Sequence, residues 1–209
     1  MFTKISAKEG IKQFDEKAIA AMVKELKQLN NGAMKGKPVV VLIDPSTLTE
    51  FEKRAALDVV NIIKKKRNGD NKGITCANDA KQRRYVKAEE ITYSPTVSLV
   101  SILTTLSIDA YEGRDVATVD VPRAYLHAYM PQTEGKIVLL KLKGDFVDIM
   151  CSVDEEVTPH VVYEGKTKVL YMKVLREIYC CLESTMLWYN LYVTLERYGF
   201  RTESIRPMC

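Results

Sequence analysis

The residues most able to do chemistry lie in one stretch, Thr118-Val-Asp120-Val-Pro-Arg123-Ala124-Tyr125-Leu-His-Ala. Val116 to Asp120 alternates as a β-strand does, and Pro122 cannot continue a central ladder. The pattern therefore predicts a strand that ends at or just after Asp120 and leaves its carboxylate at the strand's end. Enzymes that transfer nucleotidyl groups use carboxylates so placed to hold Mg²⁺ beside substrate phosphates, because magnesium takes oxygen ligands and keeps several waters. A plainer role is open to the same residue: aspartate often caps a turn, and Asp120 suits the turn that starts at Pro122.

A second group of interest is basic. Lys64-Lys65-Lys66-Arg67 precedes the turn Asn68-Gly69-Asp70, and Lys72, Lys81, Arg83 and Arg84 follow in a polar stretch that reads as a hairpin or an extended finger. Such a run suits phosphate binding. It equally suits a solvated helix end, where cations interact well with the helix dipole. The net charge of +4 and pI of about 8.7 are compatible with a nucleic-acid partner without requiring one.

Other chemistries have less support. Cys76, Cys151, Cys180, Cys181 and Cys209 show no C-x-x-C spacing, so neither a zinc ribbon nor a redox pair is expected. Their odd number argues against a disulfide framework and for a reducing compartment. His127 and His160 stand far apart. No run approaches the length of a membrane span, and the N-terminus MFTKISAKEG lacks the pattern of a signal peptide. The expectation is an intracellular protein, in the cytoplasm or nucleus, with no membrane partner.

The elements that must position these residues can be read from periodicity. Phe14, Ala18, Met22, Leu26 and Leu29 predict an amphipathic helix ended by Asn30-Asn31-Gly32. Val39–Ile43 predicts a strand closed by Asp44-Pro45. A second helix is expected from Thr47 or Thr49, each with a glutamate three residues on as in a capping box, with Ala56, Val59, Val60 and Ile63 as its apolar stripe. A third carries Leu99, Leu103, Leu106 and Ala110 and ends at Gly113. Strands are predicted at 137–142, 146–153, 160–163 and 169–174. A long last helix runs through Ile178, Leu182, Thr185, Tyr189, Tyr192 and Leu195, and Gly199 closes it. Helices and antiparallel hairpins mixed in this way point to the α+β class. The 209 residues divide into an N-terminal helical region with a short strand (1–66) and a second region (67–209).

The motifs also carry a resemblance. Residues 118–130, TVDVPRAYLHAYM, resemble the first catalytic motif of Ty1/copia-type retrotransposon reverse transcriptases, approximately D-V-x-x-A-[FY]-L. Residues 94–120 resemble the helix and strand leading into it. Residues 178–199, IYCCLESTMLWYNLYVTLERYG, are similar to the L-Y-G and W-Y segment, and residues 72–84, KGITCANDAKQRR, to the basic fingers segment. Order and spacing agree for all four.

The resemblance implies the fingers and partial palm of a right-hand polymerase, an RNA-directed DNA polymerase whose partners are an RNA/DNA template-primer and a deoxynucleoside triphosphate. It implies that Asp120 is a Mg²⁺ ligand. Arg123 and Ala124 would present backbone N–H groups to the triphosphate, and Tyr125 would lie under the sugar. Lys72, Lys81, Arg83 and Arg84 would touch phosphates. Two departures stand out. The Y-V-D-D hairpin that supplies the other carboxylates is absent, and no Asp-Asp pair occurs in the chain. Asp145 and Asp148 read as turn residues. Cys180 stands where the family has glycine. The expectation is therefore a fragment that is inactive alone, or else a non-catalytic remnant that binds nucleic acid through its basic fingers.

Overall fold

A computed structural model describes residues 4–14, 16–32, 37–78, 80, 97–132, 137–194, 197 and 199. Its centre is a mixed sheet. The strands are β1 (Lys4–Ser6), β2 (Val40–Leu42), β3 (Leu57–Lys65), β4 (Asn71–Ala77), β5 (Leu139–Lys143), β6 (Val162–Glu164) and β7 (Thr167–Val174). β3 pairs with β4 and β1 antiparallel, and through Leu57 and Asp58 with β5 in parallel. β7 pairs antiparallel with β5, β2 and β6. The sheet thus joins a hairpin half, β1-β3-β4, to a second half, β5-β7-β2-β6, through the short β3–β5 pairing. The α+β class holds.

Alternation of side chains places β5 and β7 between two apolar layers. Leu140, Leu142, Leu170, Met172 and Val174 face the main core, where α2 (Glu16–Asn31) contributes Leu26 and Leu29 and α5 (Asp145–Val153) contributes Val147 and Met150. Leu139, Val169 and Tyr171 point the other way and are closed off by Ala56. Ala56 follows α3 (Glu50–Ala55), whose N-terminus has a complete Thr49–Glu52 capping box. α1 (Ala7–Phe14) and α2 cover the hairpin half through Ala7, Ala18, Met22 and Ile63. Gly73 allows the closest approach: a Cβ there would lie 2.7 Å from the Ala21 carbonyl oxygen of α2. No described helix is long and apolar enough to cross a membrane.

Several sequence expectations change. The stripe expected of one first helix divides between α1 and α2. The second helix stops at Ala55, and Val59, Val60 and Ile63 lie in strand β3. Their spacing suits a helix, but a run rich in β-branched residues flanked by two partner strands extends instead. Lys64 to Arg67 therefore form a strand end and hairpin turn rather than a helix end. Residues 146–153 are helical: Val147 and Met150, one turn apart, bury the same face. Asp145 and Asp148 occupy the first turn of α5, where negative charge suits the dipole, and Lys168 reaches Asp148 at 2.5 Å. The last helix, α6 (Ser184–Val193), starts six residues later than predicted because Cys180 adopts φ 70° and breaks the run.

The third predicted helix is present as α4 (Leu99–Glu112). Ser98 caps its start and Gly113, at φ 64°, its end. None of its residues is buried. The strand expected at 116–120 does not form; the backbone there is irregular and exposed. Val116 and Val119 have strand-forming side chains, but among the described residues no strand pairs with them.

Candidate functional site

Three segments distant in sequence meet around β4. The first is the β3–β4 hairpin, whose register sets Lys64 directly opposite Lys72. Like charges so placed repel and raise the local positive potential. The second is the face of α2 that carries Glu25. The Thr75 N–H donates to its carboxylate at 3.1 Å, and the Thr75 hydroxyl donates to Asn61 at 2.9 Å across the ladder. The third is the turn 123–130.

That turn is anchored residue by residue. Leu126, Ala128 and Met130 are buried, while Tyr125, His127 and Tyr129 lie between them at greater exposure. Residues 124–127 form one 3₁₀ turn entered through Arg123, which adopts the left-handed conformation at φ 58°. Met130 N–H donates to the Leu175 carbonyl at 3.1 Å, and Glu177 N–H donates to that of Ala128 at 3.0 Å. Arg176, 3% exposed, donates to the carbonyls of Leu126 (3.4 Å) and His127 (3.0 Å) and lies 4.1 Å over the Tyr129 ring. A buried guanidinium satisfied by backbone carbonyls and a ring face acts here as a clamp on the turn.

Tyr179 closes the site. Its carbonyl accepts from Ala77 N–H at 3.0 Å, which ties residue 179 to the end of β4. Its ring meets Tyr125 edge to face, with centroids 5.5 Å apart and planes at 85°. Burial raises the Glu25 carboxyl above its ordinary range, while the Thr75 N–H, Lys72 and Arg123 pull it down. Burial also raises the Tyr179 hydroxyl; Glu25 adds to that and Arg123 opposes it. Lys72 and Arg123, 51 residues apart by number (123 − 72), thus act on the same carboxylate.

The sequence-predicted residues fare differently. Lys72, Arg123, Ala124 and Tyr125 fall at this face. Lys81, Arg83 and Arg84 lie outside the described residues. Asp120 is exposed, three residues before Arg123, on irregular chain rather than at a strand end. Among the described residues no group of three His, Cys, Asp or Glu side chains converges to hold a metal ion. Sequence reasoning missed Glu25, Arg176 and Glu177. Glu25 had one available signal, a carboxylate bordering the Met22–Leu26–Leu29 stripe.

A separate groove of about 660 Å³ lies between α3 and the β6–β7 edge and holds none of these residues. Its floor is Lys141, paired to Glu164 at 2.6 Å, with Tyr171 donating to the same carboxylate.

Comparison of the chain with family models, with curated proteins and with solved structures gives no match.

Proposed function

We propose that this chain is the fingers and partial palm of a Ty1/copia-type reverse transcriptase, an RNA-directed DNA polymerase by family. In this reading the face made by Lys72, Arg123 and Tyr125 receives phosphates of a nucleotide or a template-primer. The observation that carries it is the convergence of Lys72 and Arg123 on Glu25 beside the Tyr125–Tyr179 ring pair. Two cations and a ring edge suit a phosphate ester with an attached sugar or base, since phosphate binding supplies affinity and aromatic faces supply stacking.

The donor set does not fit a two-metal site. Two Mg²⁺ ions about 3.5–4 Å apart need convergent carboxylates, and Asp120 is a single exposed one with no Asp-Asp pair elsewhere in the chain. No bond-making step is assigned to these residues. That mismatch favours a second reading, a non-catalytic chain that binds nucleic acid through the basic hairpin.

The test is fluorescence anisotropy with a labelled RNA–DNA hybrid across a salt series, on the wild type and the Lys72→Gln/Arg123→Gln double variant. The expected result is roughly tenfold weaker binding in the variant and a log K against log salt slope smaller by about 2, one for each phosphate that is no longer neutralised. Equal slopes would remove this face from nucleic-acid binding. Primer extension with deoxynucleoside triphosphates and Mg²⁺ then separates the readings. Extension abolished by Asp120→Asn supports a polymerase, and binding without extension supports the binding-only chain.

A further inference from the structure

Glu177 has no exposed surface, and its Oε1 is buried without a hydrogen-bond partner. Its Oε2 meets the Ser184 hydroxyl, and that hydroxyl also lies 2.7 Å from the Ile178 carbonyl oxygen. A serine hydroxyl has one proton. The Ile178 carbonyl can only accept, so it takes that proton. The bond between Ser184 and Glu177 then needs a second proton, and only the Glu177 carboxyl can supply it.

The surroundings agree. The adjacent cation, Arg176, is turned away onto the carbonyls of Leu126 and His127 and the ring of Tyr129. From the segment before α6, Glu183 adds negative charge, and the buried Cys181 thiol is itself pushed up by burial first, then by Glu177, Cys180 and Glu183. From the 124–130 turn the titratable side chains are Tyr125, set on Tyr179; His127, whose ring lies 3.1 Å from the Pro122 carbonyl; and Tyr129, under Arg176. Among the described residues no cation acts on the Glu177 carboxyl.

The residue also joins two parts of the molecule. Its N–H holds the Ala128 carbonyl of the turn, and its carboxyl holds Ser184, the first residue of α6. α6 in turn packs on the 124–127 turn.

We propose that Glu177 is a positioning residue held as a neutral carboxylic acid, whose proton ties the 123–130 turn to the start of α6 and whose loss lets the two separate. Burial raises its carboxyl to about 7, and the negative charge of Glu183 assists. The tie therefore loosens as pH rises through neutrality. This holds whatever ligand the turn receives.

Trp188, the one tryptophan of the chain, sits half-buried on α6 and reports the docking of that helix. The experiment is a titration of Trp188 emission in the full chain from about pH 5 to about pH 9, spanning the ordinary and raised carboxyl ranges. The wild type should show a one-proton red shift with a midpoint near 7. Glu177→Gln, which keeps a donor toward Ser184 and cannot ionise, should show no transition. Ser184→Ala removes the acceptor of the carboxyl proton, so its midpoint should move to lower pH. A wild type without a transition overturns the proposal, as does an identical transition in Glu177→Gln. Should Glu177→Gln not fold, an unmoved midpoint in Ser184→Ala overturns it equally.

Discussion

The β5–β7 half of the sheet and the arm from Val97 to Val121 are built from similar residues and meet opposite fates. β7 is buried on both faces, with Leu170, Met172 and Val174 against one layer and Val169 and Tyr171 against the other. α4 is no less apolar, yet Leu99 is 69% exposed and Tyr111 92%. The difference is not local propensity. α4 has both of its caps, and caps with a good helical sequence suffice to set its boundaries. What the arm lacks among the described residues is an opposing surface. Apolar sequence specifies a core only where the topology brings a second face to it.

That contrast is broken most directly by paired truncations. Leu140→Ala removes a fully buried side chain from the main core and should cost about 2–5 kcal/mol, through reduced burial and the cavity left behind. Leu103→Ala on α4, at 55% exposure, should change stability by less than about 0.5 kcal/mol. Urea denaturation of both variants measures this. A cost at Leu103 comparable with that at Leu140 would mean that α4 is covered in solution.

The next effect lies at the border between the two regions, where Glu177 ties the turn to α6. An unfolded glutamate titrates near 4.5 and the folded one near 7. The folded state therefore binds the proton more tightly. This stabilising contribution is complete below about pH 4.5, is lost progressively as pH rises to about 7, and is level above that. Glu177→Gln removes the dependence. Relative to wild type it should gain up to about 3 kcal/mol at pH 8 and little at pH 4, as follows from a carboxyl raised from 4.5 to about 7. Thermal melts of both proteins at the two pH values give the answer. An equal difference at both would show that the carboxyl stays ionised in the fold.

The same contrast explains what the sequence could reveal. Strands β5 and β7 and the α2 stripe were legible because buried alternation and a buried stripe leave distinct periods. β3 was not, since Ala56, Val59, Val60 and Ile63 fit a helical stripe as well as a strand, and only pairing with β1, β4 and β5 decides between them. α5 was misread because a short apolar run such as Phe146–Val153 has no unambiguous period. At the site, Lys72, Arg123 and Tyr125 were legible from their motifs. Glu25 was not, because its β4 partners Thr75 and Lys72 are set by how α2 rests on that strand, where Gly73 allows the close approach. The strand expected to deliver Asp120 failed for the reason that leaves α4 bare: a strand needs a neighbour.

The smallest effect expected is at Cys180, where the chain leaves the packed sheet for α6. Its φ of 70° is a conformation that a side chain with a Cβ adopts at a cost, and glycine adopts freely. The thiol is exposed and belongs to no described core cluster. Removing it therefore sacrifices little burial. Cys180→Gly relieves a penalty of about 1–2 kcal/mol and loosens the unfolded chain by somewhat less than about 1 kcal/mol. The net expectation is a gain of about 0.5–1 kcal/mol, visible as a higher urea midpoint with an unchanged m-value. Cys180→Ala keeps the Cβ and should gain nothing. If alanine stabilises as much as glycine, the cost at this position comes from the thiol rather than the backbone, and the break before α6 is not a strained turn.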